Sequence, residues 1–469
     1  MDVKKLIKDL TGREVIEMPE MTETWLEWYK GNVKTFHTYD EYNGVKQVKC
    51  HRRSLNMAKK TAEDWANLLM NENVKVVLGD EKQQQALWDL QSSVQFLQKT
   101  NGGIEKTFAL GNGYFVEGVD EYGKVKLQFV NATKGYPLNI EDGKITECAF
   151  VNIDTYRVVI QIHQKGKMNI DEVGMQIFTA DTKGNYFIRT VVYEKESPQV
   201  ESVSRIISDE TFDTKNTIAW FEHYKPNVAN NVDINSPLGI SIYANSLDVL
   251  EGIDLAYDGF CEEMRLGKGR MFLNKKLVRY DESGEKFIFD VNQTGFYYLG
   301  DGADKEPVKF YNPALRTDGY FNGINNGLKV LSSKTGFGEN HYRFNENGLA
   351  TATQVMSEQN EKFKSKRKHE IILYDTLVDL NKALMYISNE FTNNEVKFDL
   401  DQNIEVRFDD SIIEDKEAEK TSDRMDLASG TMSKIEYRMK WFNEDEATAK
   451  QKIADIDAEK QANMTNFFA

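Results

Sequence analysis

The chain has 469 residues, 40% of them apolar and 29% charged, with a formal net charge of −16 at pH 7. Such length and apolar content suffice for a sizeable core, which excludes disorder as the default and implies several domains or one domain with large excursions. The acidity argues against tight wrapping of nucleic acid, since that affinity comes mainly from Lys and Arg neutralising phosphates, yet it suits a passage in which a polyanion slides without sticking.

The opening MDVKKLIKDL lacks the apolar core of a signal peptide, and no apolar run approaches the roughly 20 residues that span a bilayer, so a soluble, unprocessed chain without a membrane partner is expected. Residues 1–75 read as helical, with Trp25, Trp28 and Tyr29 at helical spacing and an apolar stripe through Met57, Ala58, Trp65 and Leu69. A further helix is predicted over Lys82–Thr100. Beyond it Gly102, Gly103, Gly111, Gly113, Gly118 and Gly123 punctuate short alternating runs and mark β structure, which continues from Tyr114 to about Trp220 through KVKLQFV, ECAFVNID, YRVVIQIH and NYFIRTVVYE. The Asn-rich stretch between Pro226 and Pro237 reads as a boundary loop.

Ser246–Leu266 is a predicted helix with two unlike faces. Leu250, Ile253, Tyr257, Phe260 and Met264 form an apolar stripe, and Asp248, Glu251, Asp254, Asp258 and Glu262 form an acidic one. An acidic stripe is usually a solvated surface, and the alternative is that it faces a polyanion and repels it. Over Arg265–Lys286 seven cations, among them Lys275, Lys276 and Arg279, face three anions, a local net of +4. Strand-like runs there make Gly267–Pro313 a β-rich insertion. Thr317–Ser333 is a second helix with an apolar stripe through Phe321, Ile324, Leu328 and Leu331, while Gly319, Gly323 and Gly327 cost about 1 kcal/mol each in helix propensity and suit close packing. Ser332–Gly348 is a polar loop, Thr351 to about Asn389 a long helix with its apolar face on Ile372, Leu373, Leu377, Leu380, Leu384 and Ile387, and Asp415–Gln461 a charged helical end. The fold class is α+β.

Chemistry-bearing motifs are missing. No G-x-x-x-x-G-K-[ST] occurs, so the phosphate cradle of an ATP-driven motor is lacking, and Gly336-Phe337-Gly338 has no third glycine for dinucleotide binding. The six histidines show no HExxH, and Cys50, Cys148 and Cys261 form no CxxC, so zinc, a disulfide framework and any cofactor are unsupported and a reducing compartment fits. Asp409, Asp410, Glu414 and Asp415 are the only candidates for two-metal phosphodiester chemistry, and acidic residues entering a charged helix are more often dipole partners.

The succession WLEWYKG, CHRRSLNMAKKTAEDWANLLMNE, ALGNGYFVEGVDEYGKVKLQFVNATKGYPL, NSPLGISIYANSLDVLEGIDLAYDGFCEEM and GLATATQVMSEQNEKFKSKRKHE resembles the portal proteins of long-tailed phages and prophages of Gram-positive bacteria, RRSLNMAKK and TATQV being the most specific segments. The resemblance implies a non-enzymatic ring of about twelve copies at the capsid vertex of the virion, assembled in the host cytoplasm, through which double-stranded DNA is packaged and ejected without sequence preference. It implies as partners the terminase large subunit, a head-tail connector or adaptor, and the major capsid and scaffolding proteins.

Carried onto this chain, the resemblance makes residues 1–245 a wing, 246–266 and 315–334 stem helices, 267–314 a clip, 335–352 a channel loop, 353–405 a long helix returning to the wing, and 406–469 a crown. Glu339, Asn340, His341, Arg343, Asn345, Glu346 and Asn347 would then touch DNA. The acidic stripe Asp248, Glu251, Asp254, Asp258 and Glu262 would line the channel, and Lys275, Lys276 and Arg279 would meet protein partners. Leu250 and Ile253 are expected to be covered by neighbouring copies. A metal-dependent phage nuclease and another virion structural protein, such as a sugar- or protein-binding module of the tail, are the competing readings.

Overall fold

A computed structural model of the chain describes residues 2–170, 176–197, 203–267, 269–274, 296–299, 308–344, 352–408, 416–442 and 444–467. The chain opens with α1 (Val3–Thr11), α2 (Thr22–Tyr29) and the single turn α3 (Lys34–His37), which lead into a hairpin of β1 (Thr38–Tyr42) and β2 (Gln47–His51). Then come α4 (Met57–Leu69), β3 (Lys75–Val77), α5 (Glu81–Ser93) and α6 (Phe96–Leu110). The expected helix over 82–100 is therefore two helices, broken at Gln95, whose φ of 57° lies in the left-handed region. Gly102 and Gly103 belong to α6 and not to a strand. A Cβ on Gly103 would stand 2.6 Å from the Phe115 ring, so the glycine lets the helix lie directly on the sheet beneath it.

The β region runs through β4 (Gly113–Val119), β5 (Val125–Asn131), β6 (Gly135–Glu141), β7 (Lys144–Ile153), β8 (Arg157–Ile170), β9 (Gln176–Ala180), β10 (Asn185–Lys195), β11 (Val203–Asp213) and β12 (Phe221–Tyr224). Antiparallel pairing orders them β11-β10-β8-β7-β6, with β9 also on β8, and β12-β4-β5. Strand β7 is buried on both faces because it lies between two layers. Ala149 and Val151 join Val158, Ile160 and Ile162 under Ile7 of α1, whereas Cys148 and Phe150 meet Tyr114 and Phe221 of the other sheet. The period-two patterning of β8 follows from the same layering.

After a 3-10 turn at Ala244–Ser246 the chain enters α7 (Leu247–Leu266), then β13 (Arg270–Asn274), β14 (Phe296–Leu299) and β15 (Val308–Tyr311), and returns through α8 (Thr317–Lys334). The three strands form one sheet in the order β14-β13-β15. The forty-residue α9 (Ala352–Phe391) follows, and β16 (Glu405–Arg407) pairs with β3. Leu373, Leu377, Leu380, Leu384 and Ile387 of α9, spaced four, three, four and three, are wholly buried. The principal core joins Trp25, Trp65, Phe108 and Tyr243 to Leu250 and Ile253 of α7, Ile324, Leu328 and Leu331 of α8, and the leucines of α9.

Residues 409–469 form a second compact unit. Within it α10 (Lys416–Ser429), α11 (Lys434–Phe442) and α12 (Glu446–Phe467) are joined by polar contacts. Trp441 Nε1 donates to Asp423 at 2.8 Å, and Glu444 takes Arg438 and Lys452. Among the described residues no helix is long and apolar enough to cross a membrane, and no group of three metal-ligating side chains occurs. Asp409, Asp410, Glu414 and Asp415 lie outside the described residues.

Glu117 of β4 is 1% exposed and, among the described residues, neither of its carboxyl oxygens has a hydrogen-bond partner, so burial pushes its pKa well above the usual carboxylate range. A carboxyl that is neutral when folded and ionised when unfolded costs stability as pH rises past the unfolded value, by at most about 1.4 kcal/mol per pH unit until the folded group ionises too. Glu117→Gln is therefore expected to stabilise the chain at about pH 7 and to leave it unchanged near about pH 4, as read from urea unfolding at both.

Candidate functional site

The residues singled out by the sequence converge on the paired helices α7 and α8 and on the segment after α8. Asp254, in the middle of α7, is 3% exposed and accepts three hydrogen bonds. His37 Nε2 donates at 3.0 Å and Ser54 Oγ at 2.7 Å to Oδ2, and the Leu55 amide donates at 2.7 Å to Oδ1. The Val33 amide donates to His37 Nδ1 at 2.8 Å. That bond assigns the ring proton to Nε2, where Asp254 receives it. Although His, Ser and Asp meet here, hydroxyl and imidazole both point at the carboxylate, and no base faces Ser54, so the trio lacks the geometry that activates a serine.

One turn further, Asp258 Oδ1 accepts from the Arg53 amide at 3.1 Å and from Arg53 Nη1 at 3.2 Å. The same guanidinium reaches Glu262 at 2.7 Å, and Arg265 holds the other oxygen of Glu262 at 2.6 Å. Hydrogen bonds from Arg265 and then Arg53 hold the Glu262 carboxyl below the usual range. The expected channel-lining stripe is thus corrected for two members. Asp254 and Asp258 are buried inside the chain as ties to residues 53–55, because α7 packs this flank against the segment that precedes α4. Asp248 and Glu251 remain exposed, Asp248 having Lys334 at 3.6 Å.

Leu250 and Ile253 are corrected likewise, being 2% and 1% exposed within the chain's own core. Of the α8 glycines it is Gly327 that permits the close approach, with Gly259 on α7, while Gly319 faces open space and Gly323 makes only an ordinary contact. A Cβ on Gly327 would lie 2.6 Å from Ile253 Cγ1, and on α7 a Cβ at Gly259 would lie 2.7 Å from the Tyr320 ring. At the far end Arg316 clamps Glu263 through Nε at 3.2 Å and Nη2 at 2.7 Å. Those bonds depress the Glu263 carboxyl to about 2. The apolar side chains that the pair leaves exposed are others, among them Leu255, Met264, Phe321 and Val330.

The segment after α8, expected as a polar loop, is anchored through Phe344. Gly336 and Gly338 both have φ of 85°, a left-handed backbone that turns Phe337 inward. Its ring lies 4.6 Å from that of Trp65, whose Nε1 donates to the Thr335 carbonyl at 3.0 Å. His341 stacks on Phe337 at 4.4 Å, and Tyr342 Oη donates to Asp64 Oδ2 at 2.8 Å. Burial alone would raise the Asp64 pKa, but hydrogen bonds from His341, Lys60 and Tyr342 prevail and hold it at about 2. The Tyr342 amide donates to Ser332 and the Phe344 amide to Asn325, both at 3.0 Å. Glu339 and Arg343 are exposed and Asn340 half-buried. Asn345, Glu346 and Asn347 lie outside the described residues, as do Lys275, Lys276 and Arg279.

His37, Arg53, Ser54 and Asp64 were not singled out by sequence. Their signal was nevertheless present, since Arg53 and Ser54 sit inside RRSLNMAKK, the segment most specific to the resemblance. Asp254→Ala would strand the buried His37 donor and the part-buried donors of Ser54 and Leu55, and is expected to cost about 3 kcal/mol. Asp248→Ala, on the exposed flank, should cost less than about 0.5 kcal/mol. Urea unfolding of the two variants side by side measures the difference, and equal losses would contradict the division of the stripe. Asp64→Asn is expected to speed amide hydrogen exchange at Tyr342 and Phe344 at about pH 7, and this excess over the parent should shrink as pH falls from about 4 towards about 2, where the parent's own carboxylate is lost.

No curated protein matches the chain. It is similar to a chain of a solved structure described as the neck of a native GTA particle computed with C12 symmetry, at 11% identity and a TM-score of 0.40, over 94% of this chain and 98% of that one. The sequence model of the family described as phage portal protein, SPP1 Gp6-like, matches residues 18–465, and with nearly its whole length so matched this chain belongs to that portal family.

Proposed function

We propose that the protein forms the ring-shaped channel at the capsid vertex through which double-stranded DNA enters and leaves the head, and that it offers the terminase and the head-tail connector their docking platform. The family match over residues 18–465 carries the reading. In this assignment residues 1–245 are the wing, α7 and α8 the stem, the sheet of β13–β15 part of the clip, residues 335–352 the channel loop, α9 the helix returning to the wing, and 406–469 the crown.

The geometry supports the assignment in one respect above all. Helix α7 leads from the main core to a small sheet and α8 leads back, so the excursion is braced at its root by Leu250, Ile253 and Leu331 and at its far end by Arg316 and Glu263. A strut of this kind transmits position without chemistry. Asp248 and Glu251 stay in solvent on α7, and like charge on a DNA path lowers binding and therefore friction. Arg343 and Glu339, both exposed on the anchored part of the channel loop, would attract and repel phosphate respectively, giving weak contacts without sequence information. With no nucleotide-binding motif in the chain, the ATP-driven force is assigned to the terminase.

A ring is the test. The full-length protein is expected to give particles of many-subunit mass by light scattering and rings with a central hole by negative-stain microscopy, and a strictly monomeric mass at moderate salt would overturn the reading. Leu255→Asp and Phe321→Asp, placed on exposed positions of the proposed stem, should weaken assembly while leaving the unfolding midpoint within experimental error.

A further inference from the structure

Two surfaces away from the stem expose large apolar side chains on stretches of sequence almost free of charge. The first is the loop between Pro226 and Ile240, where Ile234 is 86% and Val232 50% exposed. The loop is rigidly built. Asn230 Oδ1 accepts from the amides of Val232 at 3.0 Å and Asp233 at 2.9 Å, and Asp233 Oδ1 accepts from the Asn235 amide at 3.1 Å. Asn230 Nδ2 closes the base on the Leu238 carbonyl at 3.0 Å, and Asn231 ties to Asn245 at 2.8 Å, just ahead of α7. Ile234 is therefore a preformed apolar knob whose ordering cost is already met in the free chain.

The second surface is the corner between α5 and α6, where the left-handed Gln95 opens a concavity of about 420 Å³ lined by Trp88, Gln91, Gln95, Leu97 and Gln98. Trp88 is 48% and Leu97 42% exposed. Of the sixteen residues Gln83–Gln98 only Asp89 is charged, and of the fifteen residues Pro226–Ile240 only Asp233, in a chain with 29% charged residues. Depletion of charge around an exposed aromatic is the composition of an interface centre.

Charge also selects the occupant. Each copy carries −16, so two copies repel except where their facing surfaces are nearly neutral. One neutral surface is convex and the other concave, and two different patches on the same chain make a heterologous contact, the kind that repeats head to tail into a closed ring. We propose that Ile234 of one copy seats in the Trp88–Leu97 concavity of the next. This contact rests on the ring reading and names one of its joints.

The test uses the full chain carrying Cys50→Ser and Cys261→Ser, since Cys148 is buried. Into it go Ile234→Cys or Leu97→Cys, treated with a short bismaleimide separately and as a mixture. A covalent dimer at least about tenfold more abundant in the mixture than in either variant alone is expected. In the otherwise unchanged chain, Ile234→Asp and Trp88→Ala should each raise the concentration for half-assembly about tenfold without moving the unfolding midpoint. Particles of ring mass with no mixed dimer would overturn this contact and leave the ring intact. A dimer of Ile234→Cys with itself would overturn it in favour of an isologous contact, and a chain that never assembles would overturn both contact and ring.

Discussion

A single buried carboxylate organises the centre of this protein. Asp254 sits where α7 leaves the core, and a polar side chain buried there is tolerable only because three donors from two distant segments converge on it. Satisfying that carboxylate fixes the turn at His37 and the extended segment at Arg53–Leu55 relative to α7. Asp258 and Glu262 extend the tie along the helix through Arg53. The N-terminal helices and the α7–α8 pair are thereby tied at their junction, and direct packing of the two around Trp25 and Tyr243 makes it apolar on the other side.

The same logic governs the segment after α8. Close approach of α7 and α8 through Gly327 brings the C-terminal end of α8 to α4, where Trp65 and Asp64 receive Thr335, Phe337 and Tyr342. A stretch whose composition is polar is held because its aromatic residues fill a slot and its polar atoms answer a carboxylate. The proposed channel loop would then spring from a fixed root beside α4, so that any displacement of its outer part is referred to the core and not absorbed by a slack linker.

Stability and restraint are both legible in the charge distribution. The acidic residues of α7 are divided between structural anchors on the buried flank and solvated charges at Asp248 and Glu251. One buried histidine serves packing alone. His163, flanked by Phe150 and Phe221, has both ring nitrogens unpartnered and burial pushes its pKa down to about 3, so it is a neutral aromatic at physiological pH. These are the marks of a framework, in line with a family whose work is architectural.

The sequence by itself determined what periodicity and specific segments encode. Local patterning was enough for the α+β class, for α4, α7, α8 and α9 and for the strand-rich centre, because an apolar stripe or an alternating run is a property of neighbours in the chain, whereas the portal family came from the resemblance of particular segments such as RRSLNMAKK. Tertiary structure decided everything that depends on who lies opposite. Asp254 and Asp248 are the same residue type on the same stripe, and only the presence of Ser54 and Leu55, some two hundred residues away in sequence, makes one an anchor and leaves the other in solvent. Leu250 and Ile253 read as interface until α8 and its Gly327 were brought against them. Gly103 read as a turn residue until Phe115 and Phe129 occupied the space that a side chain would need. Burial and partnership are sums over distant residues, and no local window of the sequence contains them.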